Sequence, residues 1–301
     1  MSAKILSPAS RTYRGKMTDP ARWAVWDPRP GDILVCTPPK CGTTWTQTIL
    51  AMLLHGGPDL PQKLPVLSPW VDADLGVSAE DVARALDAQP GRRVVKTHTP
   101  ADGFPIWEGV TVIAVFRHPL DVFFSLRRHT SNMVSVEDDH PMRWDVSRSV
   151  RHFIDTDADP DDFDRDTLAT LTKLFDRTVV SGRVPGETVF HYADMVADGR
   201  ETVARLARAA GIEADSAIID RVCEATAFGA MKANAADYAP VGGTGFWKSD
   251  ANFFDAASSR KWEGQISNED LTRYTRRLND LVPDASARAW LEQGGTWPTS
   301  A

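Results

Sequence analysis

Four short apolar runs punctuate the chain, at residues 32–37 (DILVCT), 92–98 (RRVVKTH), 111–117 (TVIAVFR) and 187–192 (ETVFHY). They are rich in Val and Ile and too short for helices, so they predict strands buried on both faces. Between them the apolar positions recur at helical spacing. After the first run, Pro38-Pro39-Lys40-Cys41-Gly42 breaks the strand, and Trp45, Ile49 and Met52 then share one helical face up to a stop at Gly56-Gly57. Residues 120–129 (LDVFFSLRRH) predict a second helix, with Pro119 suited to its first turn. A third is expected from Asp194 to about Ala210. Strands alternating with helices predict an α/β fold of three layers, a central parallel sheet flanked by helices. Residues 1–30 hold Pro8, Pro20, Pro28 and Pro30 around Trp23 and Trp26, and read as an irregular lead-in that packs its tryptophans down. The segment from 212 to 293 reads mostly helical. No repeat or linker divides the chain, so a single domain over residues 1–301 is expected.

In a doubly wound sheet, ligands sit beyond the carboxyl ends of the strands. Lys40, His98 and Arg117 all fall there, after the first, second and third strands. The segment TPPKCGTTW (37–45) has the makings of a P-loop-like phosphate cradle. Gly42 lets the backbone approach an anion, and the free N–H groups of the helix start point at it. Thr43 and Thr44 add hydroxyl donors and Lys40 a point charge. The standard P-loop places Lys after the second Gly; here Lys40 precedes Gly42. A kinase or nucleotide hydrolase also wants an acid on a neighbouring strand to hold Mg²⁺, whereas the strand VIAVF ends in Arg117. The pattern suits a doubly phosphorylated anion bound by cations and amides, with no metal. His98, beside the cradle, is placed to take a proton from an acceptor hydroxyl, and Lys96 lies two residues earlier on the same side of the strand. The remaining histidines (His55, His118, His129, His140, His152, His191) lack such a context.

Several other features carry less. Cys41 sits at a helix start, which lowers a thiol pKa, but the phosphatase pattern C-x₅-R would need Arg where Gln47 stands. GGTGFW (242–247) fails the dinucleotide fingerprint because Lys248 takes the final Gly position. Residues 155–166 hold seven aspartates without the EF-hand Gly and Glu, and are expected to be a solvated loop. Lys plus Arg number 34 against 41 Asp plus Glu, a net charge of −7, which argues against a nucleic-acid partner. Three cysteines (Cys36, Cys41, Cys223) make no disulfide framework. The apolar stretches 49–54 and 112–116 are far shorter than a membrane span, and the first residues lack a signal-peptide core, so a cytoplasmic location is expected.

Together these segments resemble the sulfotransferases that use 3′-phosphoadenosine 5′-phosphosulfate (PAPS), nearest to bacterial aryl and glycolipid sulfotransferases of the cytosolic-enzyme type. The resemblance runs from about Trp23 to the C-terminal helix. TPPKCGTTW is similar to the family's 5′-phosphosulfate loop, with Cys41 where Ser is common, so residues Lys40 to Trp45 are implied in donor binding. VVKTHTP resembles the catalytic-histidine strand, implying His98 as general base with Lys40 and Lys96 as catalytic cations. FRHPLDVFFS (116–125) resembles the 3′-phosphate segment, implying Arg117 and Ser125 as a binding pair. HYADM (191–195) implies Tyr192 as an adenine-side contact, and ATAFGAMKAN (225–234) implies Thr226 and Phe228 around the adenosine. One departure stands out. After Phe253-Phe254 the family carries Arg-Lys-Gly, which clamps the 3′-phosphate; this chain has Asp255-Ala256-Ala257, leaving Arg260 and Lys261 as candidate replacements. The implied reaction moves a sulfuryl group from PAPS, without a metal, to a hydroxyl acceptor that is a phenol, an alcohol or a glycolipid. Trp70 and Trp144, in loop regions 62–90 and 130–165, are candidate walls of the acceptor pocket. A homodimer is compatible with the family. A small-molecule kinase on a related fold, or a nucleotide binder without catalysis, stay open as alternatives.

Overall fold

The apolar runs form strands because their residues alternate between two buried faces. In the computed structural model, which describes residues 2–254 and 256–297, six strands occur. They are β1 (Ile5–Ser7), β2 (Ile33–Cys36), β3 (Val94–Thr97), β4 (Ile106–Trp107), β5 (Thr111–Phe116) and β6 (Val189–His191). The main sheet has the order β3-β2-β5-β6 and every pairing in it is parallel. Leu34, Cys36, Val95, Ala114 and Phe116 point to one face. There they meet the helices Pro119–Asn132, Val146–Asp155, Leu168–Phe175, Asn268–Leu281 and Ala285–Gln293. Ile33, Val35, Val94, Ile113 and Val115 point to the other, against Thr43–Leu54 and Gly199–Ala209. This is the expected three-layer α/β arrangement, with both faces of the parallel sheet covered.

β2 lies between β3 and β5, so the chain crosses to one side of it and then to the other. The loops after these three strands leave the sheet at one edge, the topological switch point where such folds bind ligands. The opposite edge is closed by a buried ion pair. Arg93 donates through Nη2 and Nε to Asp32 Oδ2 at 2.6 and 3.1 Å, and both side chains are fully buried.

Three expectations change. The helix expected from Asp194 is two, Tyr192–Ala197 and Gly199–Ala209, because Asp198 turns extended (φ −141°) and caps the second by accepting from Glu201 N. The lead-in is not wholly irregular: β1 pairs antiparallel with β4, and Trp23 and Trp26 pack on Phe104 and Trp107 at 5.1 and 5.2 Å. The aspartate-rich segment is anchored rather than merely solvated. Asp164 accepts from Met17 N, Thr18 N and Thr18 Oγ1 at 2.6, 3.0 and 2.6 Å, while Asp155 and Asp157 pair with Arg273 and Arg277. Among the described residues no helix is long and apolar enough to cross a membrane.

Candidate active site

The loop after β2 is shaped by two left-handed residues, Lys40 (φ +65°) and Gly42 (φ +98°). Gly42 caps the helix Thr43–Leu54 without a side-chain acceptor, which leaves the helix start to an external anion. Thr37 Oγ1 and Thr43 Oγ1 lie 2.6 Å apart and tie the two ends of the loop together. Thr44 is buried in the first turn. A Cβ on Gly42 would sit 2.9 Å from Tyr192 Cδ2, so glycine is required by space as well as by conformation. Tyr192 follows β6 and packs edge-on against Trp45, with ring centroids 6.1 Å apart. The Arg117 guanidinium, at the end of β5, stacks 4.3 Å above the Tyr192 ring. It donates to Lys40 O at 3.4 Å and Ser258 O at 2.8 Å, while its Nε is buried with no hydrogen-bond partner. Ser125 is buried in the helix that begins two residues after Arg117.

His98 stands just beyond β3, partly exposed. Its Nδ1 lies 2.6 Å from Thr37 O. A carbonyl only accepts, so Nδ1 carries the proton and Nε2 presents its lone pair. Burial, then the neighbouring Lys96 and Lys40, pull the imidazole down to about 3, so it is neutral at physiological pH. Trp70 packs edge-on against the His98 ring at 4.6 Å, and the Lys96 ammonium lies 5.0 Å over Trp70. Burial pulls Lys96 down to about 8, against the opposing pull of Asp72. Asp72 Oδ2 accepts from Thr97 Oγ1 at 2.9 Å and Thr99 Oγ1 at 2.6 Å, bracketing His98 on both sides along the chain. Burial pushes the Asp72 carboxyl up to about 6. Lys40 completes the group: its Nζ is 3.1 Å from His129 Nδ1 and 4.5 Å over the Phe253 ring.

The structure thus brings Lys40, Gly42, Thr43, Thr44, Trp45, Arg117, Ser125 and Tyr192 to one rim of the sheet, with Lys96 and His98 beside them. Cys41 differs from expectation. Its side chain is fully buried in the core and burial pushes the thiol up to about 12, so the thiol is no nucleophile and only the backbone of Cys41 belongs to the loop mouth. Thr226 spends its hydroxyl on Val222 O at 2.7 Å, at the end of the helix Ser216–Ala225. Phe228 is 37% exposed, with Lys232 over its ring. Trp144 packs under Arg148 (3.6 Å) and donates to Asp139, with none of its ring contacts on His98. The Arg260 side chain runs outward to Glu263 at 3.8 Å, away from the position expected of a replacement for Arg-Lys-Gly. The backbone N–H groups of Arg260 and Lys261 donate to Asp121 at 2.8 and 2.7 Å, which fixes the strap that carries Ser258. The Lys261 side chain lines a cavity of about 430 Å³ with Arg127 and Arg128. Asp255 lies outside the described residues. Sequence reasoning passed over His129, Asp72 and Phe253. The one available signal was spacing: His129 is one helical turn beyond Ser125 and shares its face.

An anion-binding strand–loop–helix, a neutral imidazole with a free Nε2 and two ammonium groups at one sheet edge define an α/β group-transfer enzyme with a P-loop-like cradle. The Sulfotransferase domain family matches residues 30–284. A glycolipid sulfotransferase of Mycobacterium bovis (strain BCG / Pasteur 1173P2) is 32% identical over 309 aligned positions, covering 94% of each chain. One of Mycobacterium tuberculosis (strain ATCC 25618 / H37Rv) is 31% identical with the same coverage. The chain belongs to the sulfotransferase family, which sets the kinase reading aside. Its fold is shared by a retinol dehydratase crystallised with retinol and PAP (TM-score 0.64, 19% identity, 85% of this chain and 82% of the other). It is also shared by a mouse sulfotransferase complexed with PAP (TM-score 0.63, 16% identity, 91% of each).

Proposed function

We propose that this chain transfers a sulfuryl group from PAPS to the hydroxyl of a lipid or small-molecule acceptor, with His98 as general base. The observation that carries the reading is the His98 Nδ1 contact to Thr37 O, 2.6 Å, because it leaves an unprotonated Nε2 at the rim occupied by Lys40 and Lys96. The residues present fit the donor. The helix start at Gly42 has no side-chain cap, and Arg117 Nε is buried and unpartnered, so the loop offers donors that want an anion. Residues 40–45 would hold the 5′-phosphosulfate end, and Arg117 with Ser125 the 3′-phosphate. PAPS supplies the sulfuryl group and leaves as PAP, its desulfated bisphosphate.

His98 Nε2 takes the acceptor's hydroxyl proton as the acceptor oxygen bonds to sulfur and the bond from sulfur to the 5′-phosphate oxygen breaks. Lys40 neutralises the charge that develops on that departing oxygen, and Lys96 steadies the sulfonate. Positioning and fixed charge do most of the work. A lipid or glycolipid acceptor is favoured by the two mycobacterial relatives and by the aromatic wall of Trp70, Trp247 and Phe253 near the catalytic cations. The test is incubation with labelled PAPS and a panel of phenols, alcohols and glycolipids, followed by mass detection of an added sulfate. We expect His98→Ala to abolish transfer, a loss of ~10²–10⁴ or more, while PAP binding stays within about twofold of the unmodified chain. Substantial turnover in that variant would remove His98 as the base.

A further inference from the structure

Lys40 is the group on which charge neutralisation depends, yet its own backbone does not fix its ammonium. The residue is left-handed, and a four-carbon stem ends in three rotatable donors. One group that meets the ammonium is His129, 3.1 Å away through Nδ1, on the helix Pro119–Asn132 that also carries Ser125. An ammonium has no acceptor, so His129 Nδ1 must be the unprotonated nitrogen. Burial and the charges of Lys40 and Lys96 hold the ring well below its ordinary pKa, in agreement with that tautomer. The ring is not loose. It packs against Trp247 at 4.7 Å and Phe253 at 5.7 Å. The segment bearing those two rings is docked on the end of the same helix: Lys248 N donates to Asn132 O (2.7 Å) and Asn132 Nδ2 to Ser249 O (2.9 Å). Phe253 in turn lies 4.5 Å beneath the Lys40 ammonium.

We propose that His129 is a positioning residue for Lys40: by accepting one hydrogen of the ammonium at Nδ1, it holds the ammonium in place beside the loop. The inference rests on the sulfotransferase reading, since PAP is the ligand whose 5′-phosphate Lys40 meets. It assigns His129 no contact with either substrate. Its effect on binding must therefore pass through Lys40, which a double-mutant cycle isolates.

The experiment is calorimetric titration of the full chain with PAP. His129→Phe keeps the ring packing and removes the acceptor; it should weaken PAP about 5- to 10-fold. In a Lys40→Met background the same change should cost less than about 1.5-fold. His129→Asn places an oxygen near the Nδ1 position and should restore binding to within about twofold, while His129→Gln, which places it farther out, should not. The Asn and Gln pair carries the test if the Phe variant does not fold. An equal loss in both backgrounds, no loss in either, or Gln rescuing as well as Asn would overturn the inference while leaving the sulfotransferase reading intact. Absence of PAP binding by the unmodified chain would overturn the nucleotide reading and this inference with it.

Discussion

Replacing Gly42 with Ala tests the cradle at its narrowest point. The native φ of +98° places an L-residue in the left-handed half of conformational space, at about 1–2 kcal/mol. The new Cβ would lie 2.9 and 3.3 Å from Tyr192 Cδ2 and Cε2. The ring cannot easily recede, because the Arg117 guanidinium covers one face at 4.3 Å and Trp45 abuts its edge. Overpacking of this kind adds about 1–3 kcal/mol, for a total near 2–5 kcal/mol. For 301 residues the unfolding entropy is about 0.6 kcal/mol per kelvin, so the expected fall in Tm is roughly 3–8 °C. Displacing Tyr192 also disturbs Arg117, and PAP affinity should drop by more than about tenfold. Gly56→Ala is the control. Its φ is +74°, but a Cβ there meets nothing within 4 Å. That variant should lose about 1–2 kcal/mol of stability and bind PAP normally. Scanning calorimetry with and without PAP reads both quantities. A Gly42→Ala chain that melts within about 1 °C of the unmodified one and binds PAP equally would refute the close-approach argument.

Other outcomes follow from the same geometry. Lys96 is pulled down to about 8, so it is charged below that pH and neutral above; PAPS affinity should fall as pH rises through about 8, and Lys96→Met should flatten that limb, as titrations from mildly acid to alkaline buffer would show. Arg93→Met strands the fully buried Asp32 carboxylate, and should cost about 3–5 kcal/mol in chemical denaturation while leaving PAP affinity unchanged, because the pair closes the far edge of the sheet. Cys36 and Cys41 are both held near 12, so iodoacetamide at pH 8 should label the native chain at Cys223 alone, read by peptide mass spectrometry; rapid labelling of Cys41 would contradict its buried placement.

The sequence by itself determined the sheet, the cradle and the three strand-end groups. Apolar runs of four to six residues have few alternatives to a doubly covered parallel strand, and Pro38-Pro39 with Gly42 dictates a break followed by a helix start. Lys40, His98 and Arg117 were legible because parallel strands deliver their C-terminal neighbours to one edge whatever the packing. The tertiary structure decided what depends on direction and on distant partners. It turned the Cys41 side chain inward, split a helix at Asp198, sent the Arg260 side chain out to Glu263, and set Trp70 rather than Trp144 beside the imidazole. It also gave His98 its tautomer through Thr37 O and gave Lys40 its partner in His129, 89 positions along the chain. A local pattern specifies which backbone a residue adopts; which atom meets which is fixed only when remote segments close on the same few ångströms.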